Sequence, residues 1–267
     1  MKKQKPIPVS YVIIAVCTLI TLCIAFLPFG ESDTERALFF GAYYKPFIIA
    51  GEFHRLLTCG LIHVSFLHLF VNMFSLSVLT RALEKYLGLW RYLVILFGAV
   101  VGGSVFLFCM GGNTVGVGLS GGLYGLLAAY IYVIWEAGGL KIPQVCSGLL
   151  QTVFMNLLIN FMPGVAWQAH FGGAIAGLIL LMAFKPRSQD KQALLHARIA
   201  LVILLFGSGM AMARRCTISE QERYLLTDLR LLRMEQDIGL KSHAKAMAKR
   251  LDALYDVTYL ELMVEEN

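Results

Sequence analysis

Apolar residues fall along this chain in long unbroken runs, without the alternation of a half-buried strand. Ser10 to Leu27, Ser65 to Leu83, Tyr92 to Met110, Leu119 to Trp135, Ile142 to Phe161, Val165 to Phe184 and Ile199 to Ala213 are each continuously apolar apart from scattered polar positions. A bilayer core about 30 Å thick is crossed by roughly 20 helical residues at about 1.5 Å each. The runs therefore predict seven transmembrane helices, the seventh being short. Membrane barrels alternate apolar and polar residues, so a barrel does not fit. The predicted fold class is all-α, a polytopic transmembrane helical bundle.

Beyond the seventh run the pattern becomes amphipathic. Ser219-x-x-Glu222 has the form of a capping box, and Leu225, Leu229 and Leu232 follow at helical spacing until Gly239. Ala244, Met247, Ala248, Leu251 and Leu254 make a second amphipathic run. This tail is predicted to be a small helical hairpin, a solvated appendage by default, with partner docking as the alternative use of its apolar face. The loop after the first run is rich in large apolar groups, Leu38-Phe39-Phe40, Tyr43-Tyr44 and Phe47-Ile48-Ile49. Aromatic residues at that density favour the headgroup boundary, which predicts a structure resting sideways in the outer leaflet. The chain divides on this basis into an N-terminal helix with its membrane-associated loop (1–64), helices two to six (65–184), a basic loop with the seventh helix (185–213) and the helical tail (214–267).

Composition narrows the function classes. Of 267 residues, 58% are hydrophobic and 15% charged, where soluble domains carry about 25% charged residues. A disordered chain and a soluble enzyme with a polar shell are excluded. The net charge of +6 does not make a nucleic-acid binder, because the basic residues lie in short clusters between apolar runs.

Those clusters set the orientation. Met1-Lys2-Lys3-Gln4-Lys5 places the amino terminus inside, and the run after it ends in Phe26-Leu27-Pro28-Phe29 without a small-x-small cleavage signal, so a retained helix is expected. Arg81, Lys85 and Arg91, then Lys185, Arg187, Lys191 and Arg198, fall on the inner side of a six-helix arrangement. The uncharged Gly111-Gly112-Asn113-Thr114 and Met162-Pro163-Gly164 suit the outer side. Arg214-Arg215 follow the seventh run on the disfavoured side, so either the tail crosses anyway or this helix lies flat at the interface. The expected location is a bacterial cytoplasmic membrane, with the lipid bilayer itself as surroundings.

Cys17, Cys23, Cys59, Cys109, Cys146 and Cys216 have no paired spacing, so neither a zinc site nor a disulfide framework follows. No metal or cofactor is expected. Chemistry must come from polar groups within the apolar runs, which are costly there and are functional candidates by default. His68 and Asn72 lie four apart on one face of the second helix, Ser120 starts the fourth and His170 lies near the start of the sixth, with His63 just ahead of the second. Gln151, Asn156 and Asn160 of the fifth helix cannot titrate and are assigned to interhelical hydrogen bonds.

Gly121 and Gly125 follow Ser120, and Gly173 and Gly177 follow His170, each pair at the small-xxx-small spacing that lets helix backbones approach in lipid. If the fourth and sixth helices meet through these faces, Ser120 and His170 come within hydrogen-bond reach as nucleophile and base. Each motif alone has a commonplace structural reading, since lone serines and histidines usually bond within their own bundle. Gly118-x-Ser120-x-Gly122 also satisfies the elbow pattern of soluble hydrolases, but no strand precedes the serine. The only acidic residue between Ser120 and His170 is Glu136, at the inner end of its helix, so the expected site is a dyad with no acid orienting the histidine.

Taken together, the residues resemble the rhomboid intramembrane serine proteases over about Gly51 to Phe184. The resemblance rests on His63-x-x-x-x-His68-x-x-x-Asn72, Gly118-x-Ser120-Gly121 and Ala169-His170-x-Gly172-Gly173, in that order. It implies a six-helix core with a seventh helix appended. It also implies Ser120 as nucleophile, His170 as general base and then acid, and Tyr124 stacked on the histidine. The oxyanion hole would comprise the Ser120 amide with His68 and Asn72, and the substrates would be transmembrane proteins cut near the outer surface. The chain departs from the family at His54-Arg55, where Trp-Arg is common, and at Thr80, where glycine usually precedes Glu84 by four.

Other classes fit less well. A rhomboid-like factor that binds membrane proteins without cutting them is the alternative, yet the serine and histidine such proteins tend to lack are both present. There is no His-Glu-x-x-His for a metalloprotease and no Asp within the apolar runs for an aspartyl protease. A transporter finds no support in an internal repeat or a midplane charge.

Overall fold

The computed structural model describes residues 9–185 and 191–265. The basic cluster Met1 to Lys5 and Arg187, used above for orientation, lie outside them. In chain order the elements are α1 (Val9–Phe26), α2 (Asp33–Phe39), β1 (Tyr43–Tyr44), α3 (Lys45–Ile49), α4 (Arg55–Thr58), α5 (Phe66–Leu87), α6 (Leu89–Met110), β2 (Val115–Gly116), α7 (Ser120–Glu136), α8 (Pro143–Ile159), α9 (Trp167–Phe184), α10 (Lys191–Arg214), α11 (Leu225–Asp237), α12 (Lys241–Tyr255) and α13 (Leu260–Glu265). The chain is all-α, as predicted, apart from the short antiparallel pair β1–β2. Among the described residues, five helices, α1, α5, α6, α9 and α10, are long and apolar enough to cross a membrane, and α8 is a shorter apolar helix of 17 residues. At 24 residues α10 is not the short element expected, because it begins at Lys191, and its polar first turns had not been counted with the apolar run.

Two compact units emerge, one made of residues 1–73, 111–118 and 212–267, the other of 74–110 and 119–211. In the second unit α6, α7 and α9 form the packed core. Lipid tails supply no hydrophobic drive between helices, so close backbone contact between small residues has to do it. The glycine pairs identified in the sequence face one another. A Cβ placed on Gly173 would strike the Gly121 carbonyl, and one on Gly177 would strike Gly125. Gly102 and Gly103 of α6 meet Ala176 and the Ala169 carbonyl in the same way. Thr80, at the position where family members usually carry glycine, is buried and bonds the Tyr92 hydroxyl at 2.6 Å.

The first unit includes α1, the first loop, the start of α5, the 111–118 segment and the tail. Ser32 caps α2 by accepting from the Glu35 amide at 3.1 Å. Arg55 is buried beside Glu52 and donates to the carbonyls of Leu38 at 2.6 Å and Ala42 at 3.0 Å, which closes the loop on itself. The apolar loop residues Leu38, Tyr44 and Phe47 share one core with Leu229, Leu232, Met247, Ala248, Leu251 and Tyr255 of α11 and α12. The predicted hairpin helices are both present, and α13, only six residues long, was too short for its periodicity to register. The tail is therefore not a solvated appendage, and Tyr43, Tyr44 and Phe47 of the loop are buried in protein. Apolar periodicity marks a buried face without saying which medium buries it.

Candidate active site

Ser120 is the first residue of α7, where backbone amides have no intrahelical acceptor and the helix dipole favours negative charge. His170 lies in the first turn of α9 and is buried. The contact between α7 and α9 through their glycine faces brings the two side chains together, with Ser120 Oγ 2.8 Å from His170 Nε2. One turn on from the serine, the Tyr124 ring stacks on the imidazole with centroids 4.2 Å apart and planes 8° from parallel.

The other imidazole nitrogen meets a residue that sequence reasoning had set aside. Asn160, which caps the end of α8, has Oδ1 2.6 Å from His170 Nδ1. Its Nδ2 donates to the Tyr124 hydroxyl at 3.1 Å and to the Asn156 carbonyl at 3.0 Å, and the Tyr124 hydroxyl donates to that same carbonyl at 2.8 Å. The amide nitrogen thus faces acceptors, which orients the amide so that its oxygen faces the histidine. A carbonyl oxygen can only accept, so Nδ1 carries the proton and Nε2 turns its lone pair to the serine hydroxyl. That is the tautomer a general base needs. Where the sequence led to a dyad with no acid orienting the histidine, the group against Nδ1 is the Asn160 amide. Asn160 makes the interhelical hydrogen bonds expected of it, to Tyr124 of α7 and His170 of α9, but nothing in its spacing from His170 distinguishes it from Asn156 as the partner of the imidazole. Glu136 lies at the far end of α7, paired with Lys185.

His68, Asn72 and Gly118 belong to the first unit. Ser65 accepts the His68 amide at 3.2 Å and so caps α5. The His68 ring lies edge-on to His63, centroids 4.9 Å apart. Asn72 is buried and donates one amide hydrogen to the His68 carbonyl at 2.9 Å, which leaves its second for another acceptor. Gly118 has a φ of +108°, and a Cβ there would come within 2.5 Å of the His68 ring, so both backbone and space require glycine. Gly121, named from the sequence as a supporting residue, serves as the backbone platform for Gly173.

Among the described residues, one trio with metal-ligating groups has its ligand atoms within 4.8 Å of one another, Glu52, Glu235 and His243. Its partners are already committed. His243 Nδ1 meets Glu235 at 2.9 Å and Glu52 pairs with Arg55, which makes it an ion-pair network between loop and tail.

A family model described as the rhomboid domain matches residues 50–187. The chain belongs to the rhomboid family. It is similar to RHOMBOID-like protein 5 of Arabidopsis thaliana, 35% identical over 155 residues, which covers 56% of this chain and 50% of the plant protein. It is also similar to Rhomboid protease GluP of Bacillus subtilis, 28% identical over 180 residues, or 67% of this chain and 35% of that protein. A second Bacillus subtilis relative, Putative rhomboid protease YdcA, is 27% identical over 139 residues, 51% of this chain and 70% of that protein. The matched part of this rhomboid chain thus spans half the length of the plant relative and about a third of GluP. Together with its apolar helices, family membership makes it an integral multi-pass membrane protein.

Proposed function

We propose that this rhomboid chain is an intramembrane serine endopeptidase that hydrolyses peptide bonds in or near transmembrane helices of other membrane proteins. The observation that carries the reading is the relay from Asn160 through His170 to Ser120, with 2.6 Å and 2.8 Å between successive polar atoms. Two relatives named as proteases support it.

In this mechanism Ser120 Oγ attacks the scissile carbonyl while His170 Nε2 takes the hydroxyl proton. The imidazolium that forms is held by Asn160 Oδ1 and by the Tyr124 face, which attracts a cation. His170 then protonates the departing amine, and a water deprotonated by the same nitrogen hydrolyses the acyl-enzyme. The tetrahedral intermediate puts negative charge on the carbonyl oxygen. Donors for it are the Ser120 amide at the start of α7 and, on the family resemblance, His68 and Asn72. Substrates are transmembrane proteins whose scissile segment can leave its helix, because a peptide bond inside an intact helix is closed to attack. The chemistry calls for no metal or cofactor. The location that fits the charge pattern is a bacterial cytoplasmic membrane with the amino terminus inside.

A non-proteolytic, client-binding rhomboid-like protein would have no use for an activated serine. Treatment with a fluorophosphonate separates the readings. An activated Ser120 displaces fluoride and forms an Oγ–phosphorus bond that mass spectrometry maps to that residue. Absence of the adduct in folded protein would favour client binding.

A further inference from the structure

The segment that leads into the nucleophile, residues 111–118, is held from outside by the C-terminal tail. Asn113 donates its amide N–H to Glu222 Oε1 at 3.1 Å and its side-chain Nδ2 to the Glu222 carbonyl at 2.7 Å. Glu222 itself is locked in the capping box with Ser219, at 2.8 Å. Two residues on, Val115 and Gly116 pair with Tyr44 and Tyr43. A ladder of two residues is not stable alone. Tyr44 is fixed by its hydroxyl, which donates to Asp228 Oδ1 of α11 at 2.7 Å. Gly118 then donates to the Cys59 carbonyl at 2.9 Å, and Ser120 follows two residues later.

Asp228 is the informative residue. It is 0% exposed, and both its oxygens are committed, Oδ1 to Tyr44 and Oδ2 to Tyr255 at 2.8 Å. No cation is bonded to it among the described residues. Burying a carboxylate costs stability unless its hydrogen bonds are made, and an apolar residue would pack the same site without that cost. What the carboxylate adds is direction, because its Oδ1 accepts the Tyr44 hydroxyl and so ties β1 to α11 at a defined point. Resting on the protease reading above, we infer that the tail is a positioning clamp for the catalytic serine. Glu222 and Asp228 fix Asn113 and the β1–β2 pair, and so set the path of the chain through Gly118 into Ser120. Glu222, Asp228 and Tyr44 are positioning residues in this sense.

The test compares two matched single-hydroxyl deletions in the full chain in detergent micelles. Tyr44→Phe breaks the link from tail to β1, and Tyr255→Phe breaks an equal bond to the same carboxylate within the tail itself. Two quantities are read, hydrogen exchange of the 111–118 amides and the rate at which a fluorophosphonate labels Ser120. The expected result is that Tyr44→Phe, and likewise Glu222→Ala, speeds exchange in that segment and slows labelling about tenfold. Tyr255→Phe should lose comparable thermal stability while leaving both quantities near wild type. Equal effects of Tyr44→Phe and Tyr255→Phe, or unchanged exchange in 111–118 for Tyr44→Phe, would overturn the clamp. A folded wild type that is never labelled would sink the protease reading, and exchange alone would then decide whether the tail holds the segment.

Discussion

Removing the orienting amide is the sharpest perturbation the site offers. In Asn160→Ala, His170 Nδ1–H loses the acceptor now 2.6 Å away, and the Tyr124 hydroxyl loses the donor at 3.1 Å while keeping its bond to the Asn156 carbonyl. In the ground state the loss leaves the imidazole free to present the wrong tautomer. In the transition state the donor is an imidazolium, and hydrogen bonds to charged groups contribute about 1.5 to 3 kcal/mol. Taking about 2 kcal/mol, kcat should fall about thirtyfold. KM should change little, because the bond strengthens only as charge develops. The matched control is Asn156→Ala. It removes the bond from its Nδ2 to Thr152 at 2.8 Å but keeps the carbonyl that holds Tyr124 and Asn160, so kcat should stay within about twofold. The assay is initial-rate cleavage of a fluorogenic single-span substrate in liposomes. Wild-type kcat in Asn160→Ala, beside an inert Ser120→Ala, would refute the orienting role.

Other outcomes follow from the same geometry. Asn72→Ala should slow cleavage by about 100- to 1,000-fold, the usual cost of one oxyanion donor, with an unchanged melting temperature. Gly173→Leu should abolish folded protein or sharply lower its melting temperature by differential scanning fluorimetry, since even a Cβ there meets the Gly121 backbone. Burial pushes the Asp228 carboxyl up to about 6, against the opposing pull of the Tyr44 and Tyr255 hydroxyls. A raised folded value means stability is fully present below about 4 and lost as pH rises through about 6, an effect of about 3 kcal/mol by linkage. Asp228→Asn should therefore be destabilised relative to wild type more at pH 4 than at pH 7, as read by urea midpoints at each pH. A pH-independent difference would contradict this.

The membrane helices were legible because each is a continuous apolar run, and Ser120 and His170 because GxxxG spacing ties two polar residues to one packing face, while Tyr124 came only from the family resemblance. Gly121 against Gly173 is that inference realised in backbone contact. Two things were not legible. Asn160 was hidden because an amide acquires its role from what faces it, and the approach of α8 to His170 has no periodic signature. The tail's docking was hidden because Leu229 and Tyr44 are as apolar facing lipid as facing each other, and a single sequence does not pair them. Asp228 carried a hint, as an acidic residue between Leu225 and Leu229 on a largely apolar stretch, but charge on a helix normally marks its solvated face.

The central claim is that Ser120 and His170 cut peptide bonds within the membrane. Purified protein in liposomes with a co-reconstituted single-span substrate tests it most directly, with wild type, Ser120→Ala and His170→Ala compared at equal folded concentration. Discrete product fragments from wild type alone, with termini that map in or beside the substrate's transmembrane helix, are the expected result. The same fragments from Ser120→Ala, or an intact substrate with wild type across a panel of helix-destabilised substrates, would contradict it.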